Sequence, residues 1–201
     1  MARTQAEDYA ERRGEIVAKA ARLFAEQGFH GTSISEVAEA CGTSKSLLYH
    51  YYASKEDILF DAMHGHVKAL LDAAEEVAKA KLSPDEKLRQ LTHRFMALYL
   101  TAAANQRVLV NELRHLPTTR RKLVVGIQRR LLDIVEDILT ALRPDLASQP
   151  TLKRPATMLY FGMINWMHTW LDPQGPAKPT KIADLTVTTF IEGLRKGALP
   201  S

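Results

Sequence analysis

Gly28-Phe29-His30-Gly31-Thr32-Ser33-Ile34-Ser35-Glu36-Val37-Ala38-Glu39-Ala40-Cys41-Gly42-Thr43-Ser44-Lys45-Ser46-Leu47-Leu48-Tyr49-His50-Tyr51 is the stretch on which the fold turns. It contains two short apolar patterns, each opened by hydroxyl residues and separated by Cys41-Gly42. Thr32 or Ser33 can cap a helix bearing Ile34, Val37 and Ala38, with Glu36 placed to complete a capping box from Ser33. Thr43 or Ser44 caps the next, whose Leu47, Leu48 and Tyr51 are expected inward, leaving Lys45, Ser46, Tyr49 and His50 outside. Two short helices joined by a glycine-containing turn form a helix-turn-helix, the second helix being the element that enters a DNA major groove.

Upstream, Ile16, Ala20, Leu23 and Phe24 recur at three and four, which predicts a helix over residues 9–27 that stops at Gly28. Downstream, Ser54-Lys55-Glu56-Asp57 opens a long helix running to about residue 81, and Ser83-Pro84-Asp85-Glu86 is a further start signal. Helices are then expected at 85–101, 105–115, 118–142, 151–171 and 180–196, separated by proline or glycine. The chain reads as all-α, about nine helices: a three-helix head over residues 1–55 and a helical body over 56–201.

With 46% hydrophobic and 25% charged residues in 201, the chain has the composition of a globular protein with a real core. A net charge of +4 permits an acidic partner without requiring one. The head is neutral, with seven basic and seven acidic residues up to position 55, so placement carries the argument: no acid lies between Ala40 and Lys55. Helix starts at Thr32 and Ser54 offer unpaired N–H groups to phosphates, Lys55 adds a cation beside one, and Lys45 and Ser46 can reach bases. One cysteine, Cys41, rules out an internal disulfide and suits a reducing compartment; no apolar run reaches transmembrane length, so a cytoplasmic protein without a membrane partner is expected.

At this point the residues resemble the TetR family of regulators, through Gly28-Phe29-His30-Gly31-Thr32-Ser33-Ile34, Val37-Ala38, Cys41-Gly42, Ser44-Lys45 and Leu48-Tyr49-His50-Tyr51-Tyr52-x-Ser54-Lys55-Glu56-x-Ile58-Leu59, over roughly residues 10–60. The resemblance implies a repressor that binds a palindromic DNA operator as a homodimer and leaves it on binding a small-molecule effector. It implies that Thr32 and Tyr49 contact phosphates, that Lys55 anchors the backbone, and that Thr43, Ser44, Lys45 and Ser46 with His50 face the groove. Departures are small: Tyr52 stands where the family usually has Phe, Ala53 where it often has Pro, Cys41 where it often has Ala. Tyr51 and Tyr52 read as core aromatics, and Cys41 as a packed turn residue.

In the body, Phe161 to Trp170 followed by Asp172-Pro173-Gln174-Gly175 resembles members that control fatty-acid, phenylacetate or sterol breakdown and commonly answer to acyl-CoA thioesters. Residues 107–130 carry a net charge of +6, so Arg107, Arg114, Arg120, Arg121, Arg129 and Arg130 are candidates for CoA phosphates. Phe95, Tyr99, Leu113 and Trp166 are expected to line an acyl chamber, with Asn165 and Trp170 nearby. Leu152, Leu159, Met163, Ile182, Leu185 and Thr189 lie on apolar stripes of the last two helices and are candidates for the dimer interface. A drug- or aromatic-compound sensor is the alternative, with Glu112 as its one nearby acid.

An enzyme is disfavoured: there is no Gly-x-Gly-x-x-Gly, P-loop or His-Glu-x-x-His, and His64 and His66 fall on different faces of a helix, against a shared metal. No cofactor other than the effector is expected. A non-specific architectural protein needs a broadly basic surface, which a neutral head does not supply.

Overall fold

The computed structural model describes residues 2–197, and the described residues form nine α-helices and no strand. In chain order they are α1 (Ala2–Gly31), α2 (Ile34–Ala40), α3 (Lys45–Tyr51), α4 (Lys55–Lys79), α5 (Pro84–Thr101), α6 (Ala103–Asn111), α7 (Thr118–Leu142), α8 (Pro150–Asn165) and α9 (Pro179–Lys196). The all-α expectation holds.

Local chemistry explains most boundaries. Gly28 interrupts α1 with φ 77°, ψ 162°, a conformation that side chains with a Cβ avoid, so the helix breaks where the sequence predicts. Ser33 and Glu36 close the expected capping box, Ser44 caps α3, and Gly42 makes the turn between them at φ 61°. Ser83 and Glu86 do the same for α5.

Two helices end early. The helix expected to reach residue 115 stops at Asn111 and continues as a 3₁₀ turn, Leu113–His115, ahead of Pro117. The helix expected to reach residue 171 stops at Asn165 and tightens into a 3₁₀ turn over Trp166–Thr169.

Contacts group the residues into two units, each drawn from two stretches of the chain. The first comprises residues 1–68 with 102–126, because α6 packs along α1; the second comprises 69–101 with 127–201. The first buries Ile16, Ala20, Phe24, Val37, Leu48, Ile58, Leu59 and Val108. The second has its own core of Leu88, Leu91, Phe95, Val135, Leu139, Tyr160, Ile164 and Val187, with α5 packed on α9.

Candidate functional site

The first unit positions α3. Seven residues of α-helix span about 10 Å, close to the roughly 12 Å width of a B-DNA major groove. Its start is fixed by Ser44, whose Oγ accepts from the Leu47 N–H at 3.1 Å. Leu48 is fully buried, whereas Lys45, Ser46, Tyr49 and His50 are exposed, as expected. Leu47 is not inward as the periodicity predicts: it is 47% exposed, because so short a helix buries a single line of side chains. Tyr51 is half-buried and stacks on Tyr9 of α1 with ring centroids 4.9 Å apart, while the Tyr52 ring is in the core. His50 lies edge-on to Tyr51 and Tyr9.

Three residues expected at the DNA are turned inward. Thr32 is 1% exposed and its hydroxyl donates to the Gly28 carbonyl at 3.0 Å. The Thr43 hydroxyl is buried without a hydrogen-bond partner. Lys55 directs its Nζ at two carbonyls, Phe29 at 2.7 Å and Thr32 at 2.6 Å, and sits 4.3 Å from the centre of the Phe29 ring. Thr32 and Lys55 thus serve the turn between α1 and α2, and the two Lys55 bonds join residues 23 and 26 apart, which a local pattern does not reveal. Cys41 is buried in its turn, and burial pushes its thiol pKa up, which keeps it unreactive.

Sequence reasoning missed what surrounds α3. Arg13 of α1 donates from Nε to the Tyr52 phenol oxygen at 3.2 Å and from Nη2 to Asp61 Oδ2 at 2.5 Å; the phenol in turn donates to the same Asp61 oxygen at 2.8 Å. Burial, with the Asp61 carboxylate adding to it, pushes the Tyr52 pKa up to about 12, so the phenol keeps the proton it donates. Arg12 reaches the Cys41 carbonyl at 3.1 Å.

The effector candidates fall into separate groups. Phe95, Tyr99 and Asn165 come together in the second unit, where the Tyr99 hydroxyl donates to Asn165 Oδ1 at 2.8 Å and Phe95 stacks on Tyr99 and Phe161. Burial raises the Tyr99 and Tyr160 pKa values, so both phenols stay neutral hydrogen-bonding groups in an apolar setting. Trp166 and Trp170 do not join them: the turn after α8 leaves them 66% and 55% exposed. They line an open groove of about 830 Å³ with Met158, Leu159, Met163 and Met167. Arg107, Arg114 and Arg121 are exposed and Leu113 half-buried, all in the first unit. Arg120 is committed to an ion pair with Asp57. Glu112, the acid a cationic drug needs, accepts from the Phe29 N–H at 3.4 Å and lies 3.2 Å from His115 Nε2.

Of the dimer candidates, Leu159, Met163, Leu185 and Thr189 are exposed along α8 and α9, while Leu152 and Ile182 are half-buried, Ile182 against the core of its own unit. His66 is buried and bonded to Gln106 at 2.8 Å, and His64 stands beside Phe60. Among the described residues no group of three or more His, Cys, Asp or Glu is placed to hold a metal, and no helix is long and apolar enough to cross a membrane.

Comparison with known proteins finds matches to both the N-terminal and the C-terminal part of the chain. Residues 16–62 match the family described as bacterial regulatory proteins, tetR family, and residues 81–194 match the tetracyclin repressor-like C-terminal domain. The HTH-type transcriptional repressor KstR2 of Mycobacterium tuberculosis (strain CDC 1551 / Oshkosh) is 33% identical over 88 residues, 44% of this chain. That match spans 42% of the relative's own length, less than half of it. A solved TetR-family transcriptional regulator from Bordetella parapertussis 12822 is 39% identical, with a TM-score of 0.87 over 94% of this chain and 98% of its own. AibR, solved with isovaleryl coenzyme A and operator DNA, is 26% identical, with a TM-score of 0.75 over 89% of this chain and 97% of its own. Two successive matches of this kind, the longer covering more than half of the residues, leave one assignment: the chain belongs to the TetR family.

Proposed function

We propose that this chain is a cytoplasmic, DNA-binding transcriptional repressor that works as a homodimer and leaves its operator on binding an acyl-CoA thioester. The observation that carries the reading is the face of α3: Lys45, Ser46, Tyr49 and His50 are exposed together, on a helix capped at Ser44 and anchored by buried Leu48. Lys45 and Ser46 near its start, with His50, supply groups for base edges, and Tyr49 supplies a hydroxyl for phosphate oxygens. A two-fold dimer presents two such helices to half-sites about 34 to 36 Å apart. The exposed apolar residues of α8 and α9 support the dimer. The operator DNA and isovaleryl coenzyme A bound by AibR support the choice of partners.

For the effector, the Phe95, Tyr99 and Phe161 rings with the Tyr99–Asn165 hydrogen bond supply an apolar wall with a polar handle, which suits an acyl chain ending in a thioester carbonyl. Glu112 is engaged with a backbone amide and His115, which weighs against a cationic drug.

The test is selection of bound genomic fragments with the purified full chain, then mobility shift of the best palindrome against a panel of acyl-CoA thioesters. Specific binding released by one thioester is the expected result. Binding that no thioester alters removes the effector class and keeps the repressor; no preferred sequence removes the repressor. Lys45→Ala should change operator preference rather than weaken all sequences equally.

A further inference from the structure

We propose that Tyr52 is a positioning residue for operator reading: tied to Arg13 and Asp61, it fixes the orientation of α3 without itself touching DNA. The inference rests on the repressor reading above. α3 has one fully buried side chain, Leu48, so apolar packing alone holds its tilt loosely. Its start is held by the Ser44 cap. Its end passes into Tyr52, an extended residue (φ −140°, ψ 120°) whose ring is 3% exposed.

There the three groups close a triangle drawn from three elements. Arg13 of α1 lies 4.6 Å from the centre of the Tyr52 ring and donates to its phenol oxygen, and Asp61 of α4 accepts from both. Arg13 and Asp61 keep about a third of their side-chain surface exposed, 38% and 32%, so the lock is closed by hydrogen-bond geometry more than by burial.

A tilt of about 10° about one end of a helix about 10 Å long moves the other end by about 2 Å. An N–H···O bond keeps its strength over roughly 0.5 Å, so base contacts are lost while long, mobile cations still follow the phosphates. A positioning role therefore lowers specific binding and spares non-specific binding, whereas a purely structural role lowers both through the folded fraction.

The experiment measures affinity of the full chain for its selected operator and for a random duplex, with thermal melting in parallel, for wild type, Tyr52→Phe, Asp61→Asn and the double variant. Tyr52→Phe keeps the ring and removes the hydroxyl. It should weaken operator binding about tenfold, the scale of one lost base-pair readout, and leave the random duplex within about twofold. Asp61→Asn, at a partly exposed position, should move in the same direction, and the double variant should lose less than the two losses combined. Unchanged operator binding in Tyr52→Phe and Asp61→Asn, or equal loss on both duplexes, overturns the positioning role while the repressor stands. A wild type that does not prefer any operator overturns the repressor reading and this inference with it.

Discussion

Lys55 brings a charge to the start of α4 and spends it on the Phe29 and Thr32 carbonyls, 2.7 and 2.6 Å away. Those two bonds staple the turn that follows Gly28. Lys55→Met keeps most of the apolar stem and removes the charge-assisted bonds, so unfolding by urea should show a loss of about 1–3 kcal/mol. A variant that unfolds as the wild type does would return Lys55 to the role of a free phosphate anchor. His66 tests the same unit through pH. Burial holds its pKa below the usual histidine value, so the unfolded chain takes the proton more readily than the folded one. Its contribution is complete above the unfolded pKa, about 6.5, and is lost as pH falls through that value toward the depressed folded one. Melting temperature should drop more steeply from about pH 7.5 to about pH 5.5 in the wild type than in His66→Gln; parallel curves would remove His66 from the account.

Elements were legible wherever their chemistry is local. The Ser44 cap is one such signal, and Ser44→Ala should cost about 1 kcal/mol, lowering the melting temperature by about 2–4 °C with DNA absent. An unchanged melt would mean the cap contributes nothing to α3. Ser33-Glu36 and Ser83-Glu86 were equally readable, each a serine with a glutamate three residues on. The end of α8 was not, since neither glycine nor proline follows Asn165, whose side chain pairs with Tyr99 some 66 residues earlier. Leu47 misled because periodicity describes a face without saying how wide it is on a seven-residue helix. In the candidate site, exposed Lys45, Ser46, Tyr49 and His50 could be read from spacing. Arg13 and Asp61 could not, as they meet Tyr52 across 39 and 9 residues by contacts that no periodicity encodes.

At the scale of the molecule, the residues expected at one effector belong to different units: Arg107, Arg114 and Arg121 to the first, Phe95, Tyr99 and Asn165 to the second. Only packing assigns them, because α6 returns to α1 after α5 has entered the other core. The proposed homodimer has its own test on α8. Leu159 is 69% exposed beside Met163, and Leu159→Glu places a charge that an apolar interface cannot solvate. Sedimentation equilibrium should give a dimer for the wild type and a monomer for Leu159→Glu; a monomeric wild type would remove the dimer, and a dimeric variant would place the interface elsewhere. The groove beside Leu159 also holds both tryptophans of the chain, Trp166 and Trp170. Indole emission therefore arises from this one face, and the first unit is dark to it. Light selected by tryptophan absorption reads the groove alone: emission at long wavelength while water reaches the two rings, shifting to the blue as anything covers them, with no label attached.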